Sequence, residues 1–440
     1  MMADVSLSSL LFINQFYYPD CSATSQLLEQ LAEGMARRGF EVTVLTGNTG
    51  CEGGRLSDSR KEVHEHVSII RVLSTRFGKS TTIGRLTDYL TFYISVLVRV
   101  LFLRRFDVVV VLTTPPLIAW VGSVAQTLKG SRFIYWVQDL YPEIAAALGA
   151  LKADSLTYRT CALISRRILH AADATVAVGE DMASKLSAGN SALKEIRVIH
   201  NWADEGQLKP VEPSRNTFLQ EQALADKLVI LYAGNFGLAH EFDLVLRVAK
   251  ELKDDPEIVF VFVGSGKRRG EIEEAIRQNH LSNVRLLPSV PLERLQEVLS
   301  AASIGLVTER PEVEGLMVPS KVYGLMATAR PILFLGPIQS DCARIVQKAQ
   351  CGLVVAPHNK ELFLRSIRDL QNNRQKGEKM GQSGRQWFLR HYSKSVALGN
   401  FAALFDKILT LWAPMITVGE KNNRAGAASS SLPAERKRVS

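Results

Sequence analysis

Short apolar runs recur along this chain, and helical stretches separate them. The first series reads LLFINQF, EVTVLTG, VSIIRV, DVVVVLTT, RFIYWVQD, ATVAVG and IRVIHN. The second reads LVILYAG, IVFVFVG, NVRLL, IGLV, PILFLG and GLVVAP. A strand that is apolar at every position needs cover on both faces, and connections of helical length permit parallel pairing. Two such series predict an α/β chain with two doubly wound parallel sheets facing a central cleft. Between the series, ADEGQLKPVEPSRN is polar and carries two prolines, which reads as a linker. The expected organisation is a first domain over 1–203, a linker and domain edge over 204–226 and a second domain with its closing helices over 227–412. Residues 413–440 are small, polar and basic, and read as a disordered tail.

Composition narrows the partners. With 440 residues, 46% of them hydrophobic, the chain can build two cores. Lys and Arg number 53 against 44 Asp and Glu, a balance of +9 that favours anionic ligands. The basic residues are scattered as pairs (Arg37-Arg38, Arg104-Arg105, Arg166-Arg167) instead of forming one stripe, which argues against nucleic acid. Five dispersed cysteines (Cys21, Cys51, Cys161, Cys342 and Cys351) include no C-x-x-C pair and suit a reducing cytoplasm. No signal peptide is visible before the first predicted strand.

Ligands of doubly wound sheets bind beyond the carboxyl ends of the strands. There YAGNFG places Asn235, Phe236 and Gly237 in a strand-to-helix turn, where backbone N–H groups and a helix N-terminus favour phosphate. A simple turn is the alternative: no G-K-[ST] follows it, and it is not a G-x-G-x-x-G loop. VGSGKRRGEIEE repeats the theme, with Lys267, Arg268 and Arg269 read either as a cleft edge or as a solvated helix start. VPSKVYGLMA puts Pro319 just inside a helix start and Ser320 and Lys321 in its first turn. A cation there opposes the helix dipole unless an anion sits beside it, so this stretch reads as a diphosphate cradle or, failing that, as a surface lysine. In the first series, Ser22, Ala23 and Thr24 open a helix after a long loop. Asp139 and Glu143 in QDLYPE are carboxylates suited to sugar hydroxyls or base chemistry, or to helix capping.

YLTFYISVLVRVLFL, residues 89–103, is nearly all apolar. Thr87, Thr91, Ser95 and Arg99 form one narrow polar stripe on it. The run is short and interrupted for a transmembrane helix. It is expected either to dip into a membrane interface, with Phe92 and Leu97 toward lipid and Arg85, Arg104 and Arg105 meeting phosphates, or to be a buried core helix.

Taken together, YYPDCSATSQLLEQLA, RRGFEVTVLTG, TTPPL, QDLYPE, VIHNWAD, YAGNFG, FVFVGSG and PSKVYGLMATARPI resemble the GT-B glycosyltransferases of retaining family 4 over residues 9 to 410. The closest likeness is to the bacterial surface-polysaccharide subgroup that includes colanic acid fucosyltransferase and fucosamine transferase. The resemblance implies sugar transfer from a nucleotide-sugar donor with retention, without an essential metal or other cofactor. It implies a donor diphosphate held by Ser320, Lys321 and the Asn235–Gly237 turn, and Asp139 facing donor and acceptor. It further implies an acceptor such as a polyprenyl-diphosphate-linked sugar, and a cytoplasmic enzyme peripheral on the anionic inner face of the plasma membrane.

The sequence also departs from the family. Two glutamates eight positions apart are expected at 316 and 324, where this chain has Leu316 and Gly324. Glu314 is the nearest substitute carboxylate. The basic residue that usually follows the glycine turn is absent, and His240 lies nearby instead. Two other readings of the same fold are a nucleotide-sugar 2-epimerase, which needs no lipid acceptor, and a non-catalytic scaffold, which the missing glutamates favour.

Overall fold

The computed structural model describes residues 7–50, 54, 56, 59–75, 77, 82–188 and 193–410. The 413–440 tail lies outside the described residues.

The first sheet contains β1 (Ser9–Ile13), β2 (Glu41–Gly47), β3 (Lys61–His64), β4 (Val67–Val72), β5 (Val108–Val111), β6 (Arg132–Val137), β7 (Ala174–Ala177) and β8 (Ile196–Val198). Their order is β3-β4-β2-β1-β5-β6-β7-β8, so the winding reverses between β1 and β5. All neighbours are parallel except β3, which pairs antiparallel with β4 at the edge. The apolar-run reading does not include β3. Its residues KEVH alternate between exposed and half-buried, so it lacks a continuous apolar run.

The second sheet contains β9 (Leu228–Ala233), β10 (Ile258–Val263), β11 (Val284–Leu287), β12 (Ile304–Thr308), β13 (Ile332–Leu335) and β14 (Gly352–Val355). It is wholly parallel in the order β11-β10-β9-β12-β13-β14, with its reversal between β9 and β12. β10, IVFVFV, is buried at all six positions, as double cover requires.

One feature fills in the expected organisation and one departs from it. The segment 204–226 forms an edge of the second domain. It carries a 3-10 turn Pro213–Arg215 and a helix Thr217–Glu221, whose Phe218 and Leu219 enter the second core. The last helix, Lys394–Thr410, does not close the second domain. Its Phe401, Leu404, Phe405 and Ile408 pack with Leu28, Leu31 and Phe12 of the first, and Phe401 meets Trp136 edge-on at 4.9 Å. The first domain leaves one sheet face short of cover, and this amphipathic helix supplies it.

The 89–103 run is a core helix on one side and exposed on the other. The helix Thr82–Phe102 buries Phe92, Val96 and Val100 in the first core. On the other side, Ile83, Leu86, Leu90, Ile94, Val98, Leu101 and Phe102 are exposed. Phe92 is therefore a core residue, contrary to its lipid-facing assignment. Among the described residues no helix is long and apolar enough to cross a membrane.

Candidate functional site

β9 ends at the reversal point of the second sheet, where the outgoing chains diverge and leave a crevice. The turn after β9 is built on glycine. Gly234 has φ 126°, and a Cβ there would lie 3.0 Å from Lys321 Cε. Gly266, at φ 148°, lets the turn after β10 nest against it, since a Cβ would fall 2.6 Å from Phe236 N. Phe236 N–H donates to Ser265 O at 2.7 Å, which locks the two turns together.

Lys321 opens the helix Lys321–Ala327, with Ser320 as N-cap and Pro319 one step outside. Pro319 is therefore not inside the helix, as the sequence pattern suggests. Ser320 is exposed and its hydroxyl caps nothing, which leaves it available to a ligand. The lysine turns inward toward the end of β9. Its Nζ stands 3.1 Å from His240 Nε2 and 4.8 Å over the Tyr232 ring. No carboxylate pairs with it among the described residues. Burial pushes its pKa down to about 7.

His240 is buried, and its Nδ1 lies 2.8 Å from Thr308 O. With Nδ1–H donating to that carbonyl, Nε2 is an acceptor for the ammonium. Burial, and then the charge of Lys321, push its pKa down to about 3. The imidazole is neutral and orients the lysine without neutralising it. Arg268 braces this corner from behind, donating to His240 O at 2.7 Å and to Asp243 at 2.8 Å. Arg269 pairs with Glu273 at 2.9 Å. These two arginines of the second glycine loop are engaged within the protein.

The remaining predicted residues lie on the first domain or at the junction. Asp139 follows β6 and is half-buried; desolvation raises its carboxyl to about 6. Glu143 begins the helix Glu143–Ala147, and its Oε2 is buried without a hydrogen-bond partner among the described residues. Between them, Leu140 N–H donates to Leu316 O of the second domain at 2.9 Å. Ser22 is the N-cap of the helix Ala23–Arg37, but its hydroxyl makes no cap bond and has no partner among the described residues. Ala23 and Thr24 begin that helix.

Glu314 precedes Gly315, whose Cβ position falls 2.6 Å from Lys185 Cε of the first domain. Leu316 is buried in the first core and Gly324 faces Leu299, so neither departing position is open to a carboxylate without rearrangement.

The sequence reading omits Glu309, Asp341, Arg344 and Tyr232. Glu309 follows β12 at the reversal point and is buried. Its carboxyl is raised well above the usual range by burial, then by Glu314 and Asp341. Its place just past an apolar strand, IGLVTE, is a signal that could have found it. Asp341, Arg344 and Tyr232 have no local signal, because their partners are distant in the chain.

The chain matches the Glycosyl transferase 4-like domain over residues 23–202 and Glycosyl transferases group 1 over 214–387. The probable glycosyltransferase WbjE of Pseudomonas aeruginosa is 26% identical over 307 residues, 70% of this chain and 76% of that protein. The putative colanic acid biosynthesis glycosyl transferase WcaI of Escherichia coli K12 is 22% identical over 365 residues, 80% and 89% of the two chains. Among solved structures, sucrose-phosphate synthase of Thermosynechococcus elongatus superposes with a TM-score of 0.75 at 16% identity, covering 92% of this chain and all of that one. Anabaena HepE in complex with UDP and glucose gives 0.67 at 15%, covering 91% of this chain and all of that one. At such identities these likenesses speak to the fold, which is GT-B. The two family matches divide between the two sheets, with the first ending and the second beginning around the 204–226 segment. The chain belongs to the group 1 glycosyltransferases of family 4.

Proposed function

We propose that this glycosyltransferase transfers a sugar, with retention, from a nucleotide-sugar donor to a lipid-linked acceptor in surface polysaccharide synthesis. The observation that carries the donor reading is Lys321. It is a half-buried ammonium at the reversal point of the second sheet, paired among the described residues with a neutral imidazole and an aromatic face. A donor diphosphate there supplies the missing anion and restores the lysine's charge. As the glycosidic bond breaks, negative charge grows on the leaving diphosphate. A preorganised cation in a partly dry crevice stabilises that charge more than it stabilises the ground state. The Asn235–Gly237 turn adds backbone donors and Ser320 a hydroxyl, while His240 holds the lysine in line. Glu314, beside Glu309, is the nearest carboxylate for donor hydroxyls. HepE, of the same fold, is described in complex with UDP and glucose, which supports a nucleotide donor.

On the facing domain, Asp139 and Glu143 are the carboxylates proposed to serve the reacting sugar, and Ser22, Ala23 and Thr24 the residues proposed on the acceptor side. The likeness to WcaI, which is named for colanic acid biosynthesis, supports a polysaccharide as the product class. The exposed stripe Ile83, Leu86, Leu90, Ile94, Val98, Leu101 and Phe102 supports docking on a bilayer. Its helix lies in the plane of the interface, with Arg85 and Arg105 near anionic headgroups. Incubation with a panel of nucleotide sugars, with and without a polyprenyl-diphosphate sugar, tests the reading by mass spectrometry. Acceptor-dependent transfer supports it. An epimerised donor, or no reaction with any donor and acceptor, overturns it.

A further inference from the structure

Glu29 and Glu33 lie one turn apart on the helix Ala23–Arg37, and His64 ends β3 beside them. One oxygen of each carboxylate and one imidazole nitrogen lie within 4.8 Å of one another, all on half-buried side chains. Glu33 divides its oxygens. Oε2 accepts from Arg37 at 3.1 Å, while Oε1 faces His64 Nε2 at 3.8 Å, too far for a hydrogen bond. Glu29 has no hydrogen bond or salt bridge among the described residues, although it adjoins a second carboxylate. Tyr17 lies against this cluster with none of its surface exposed, and its hydroxyl has no hydrogen-bond partner among the described residues. That hydroxyl is within electrostatic reach of both glutamates. The imidazole is held by Tyr18, which stacks on it at 3.8 Å and 10°.

We propose that Glu29, Glu33 and His64 bind one divalent first-row transition ion, with zinc the best match. Two carboxylate oxygens and a neutral imidazole form a mixed hard and borderline donor set. Zinc takes such atoms at about 2.0–2.2 Å, so the three donors must draw together, and rotation of the two glutamate side chains supplies the movement. Water completes the coordination from the open side. Arg37 already holds one ligating carboxylate, and the unpartnered Tyr17 hydroxyl, within electrostatic reach of both glutamates, is available for a second outer bond of the kind that orients metal ligands. The ion ties the first helix to the β3–β4 hairpin. Tyr17 and Tyr18 belong to the loop that leads from β1 to Ser22, so the same ion fixes that loop. The site stands apart from Lys321 and is independent of the sugar-transfer reading.

Full-length protein stripped with a chelator is titrated with Zn²⁺, and separately with Mg²⁺, by calorimetry and thermal melting. The expected result is one Zn²⁺ per chain, a raised Tm and no response to Mg²⁺. Glu29→Gln and His64→Gln should each weaken binding by about 10-fold or more, while their metal-free Tm stays near wild type. Cobalt(II) spectra separate this site from the exposed Cys21, because a thiolate ligand adds intense near-ultraviolet charge-transfer bands. Equal zinc affinity in wild type and both variants overturns the proposal. So does a cobalt spectrum that shows thiolate ligation.

Discussion

The Asp341 carboxylate of the second domain accepts a hydrogen bond from the backbone N–H of Glu180 in the first, at 3.0 Å. Its other oxygen accepts from Asp181 N–H, also at 3.0 Å. One domain thus caps a helix of the other, Glu180–Ser187, where the free N–H groups and the dipole favour an anion. Arg344 joins the arrangement, donating to both Asp181 and Asp341 at 2.6 Å. Gly179 makes room for it, since a Cβ there would lie 2.2 Å from Asp341 Oδ2. The contact fastens one edge of the cleft.

Asp341→Ala is expected to loosen closure. Bonds from backbone N–H to a carboxylate contribute roughly 1.5–3 kcal/mol, so the closed population should fall by about an order of magnitude or more. Small-angle scattering should report a larger radius of gyration with an unchanged melting profile for each domain. Gly179→Ala should do the same by occupying the space of the carboxylate. Unchanged scattering in both variants would refute the latch.

Lys321→Ala is expected to lower kcat/KM by about 10- to 150-fold, the equivalent of a charge-assisted bond of roughly 1.5–3 kcal/mol. Nucleoside alone should bind the variant nearly as well as wild type, and nucleoside diphosphate should bind it more weakly. Folding should hold, because the helix loses a cation from its first turn. Arg at this position should restore the function only in part, since its fork does not fit beside His240 as a point charge does. Equal diphosphate affinity in the two proteins would mean that no phosphate reaches this corner.

Asp139 titrates near 6 in the folded chain, against an ordinary value of 3.8. Between those two pH values the native state holds more protons than the unfolded state, so this group lowers stability as pH rises through that window. Asp139→Asn should therefore melt higher than wild type at pH 7, with the gap closing below about pH 4. Turnover of the same variant should fall if the carboxylate faces the reacting sugar. A Tm difference that does not depend on pH would contradict the burial argument.

The two sides of the helix Thr82–Phe102 should respond differently. Leu90→Ser with Ile94→Ser should leave Tm nearly unchanged and reduce co-sedimentation with anionic liposomes. Phe92→Ala should cost about 3–5 kcal/mol, the usual effect of emptying a buried aromatic site. Undiminished liposome binding by the double variant would rule out the stripe as the docking face.

The sequence by itself determined the parallel strands of both sheets. Runs such as IVFVFV and VVVV can be satisfied only by burial on both faces, and their spacing by helices imposes parallel winding. It also located the turns at the carboxyl end of β9 and near the start of the Lys321–Ala327 helix, because glycine and a helix start carry local signatures, as in YAGNFG and PSKVYG. Tertiary structure alone decided the partners. Lys321 meets His240, 81 residues away, and Asp341 meets Glu180 at a separation of 161. No periodicity records such pairs, because each residue's own helix or loop forms equally well without the other. The same holds for the helix Lys394–Thr410. Its apolar face is plain in the sequence, yet either sheet could have taken it, and only the uncovered face of the first domain settled the choice. Local pattern fixes which surface must be buried, whereas the place where it is buried follows from the shape of everything already packed.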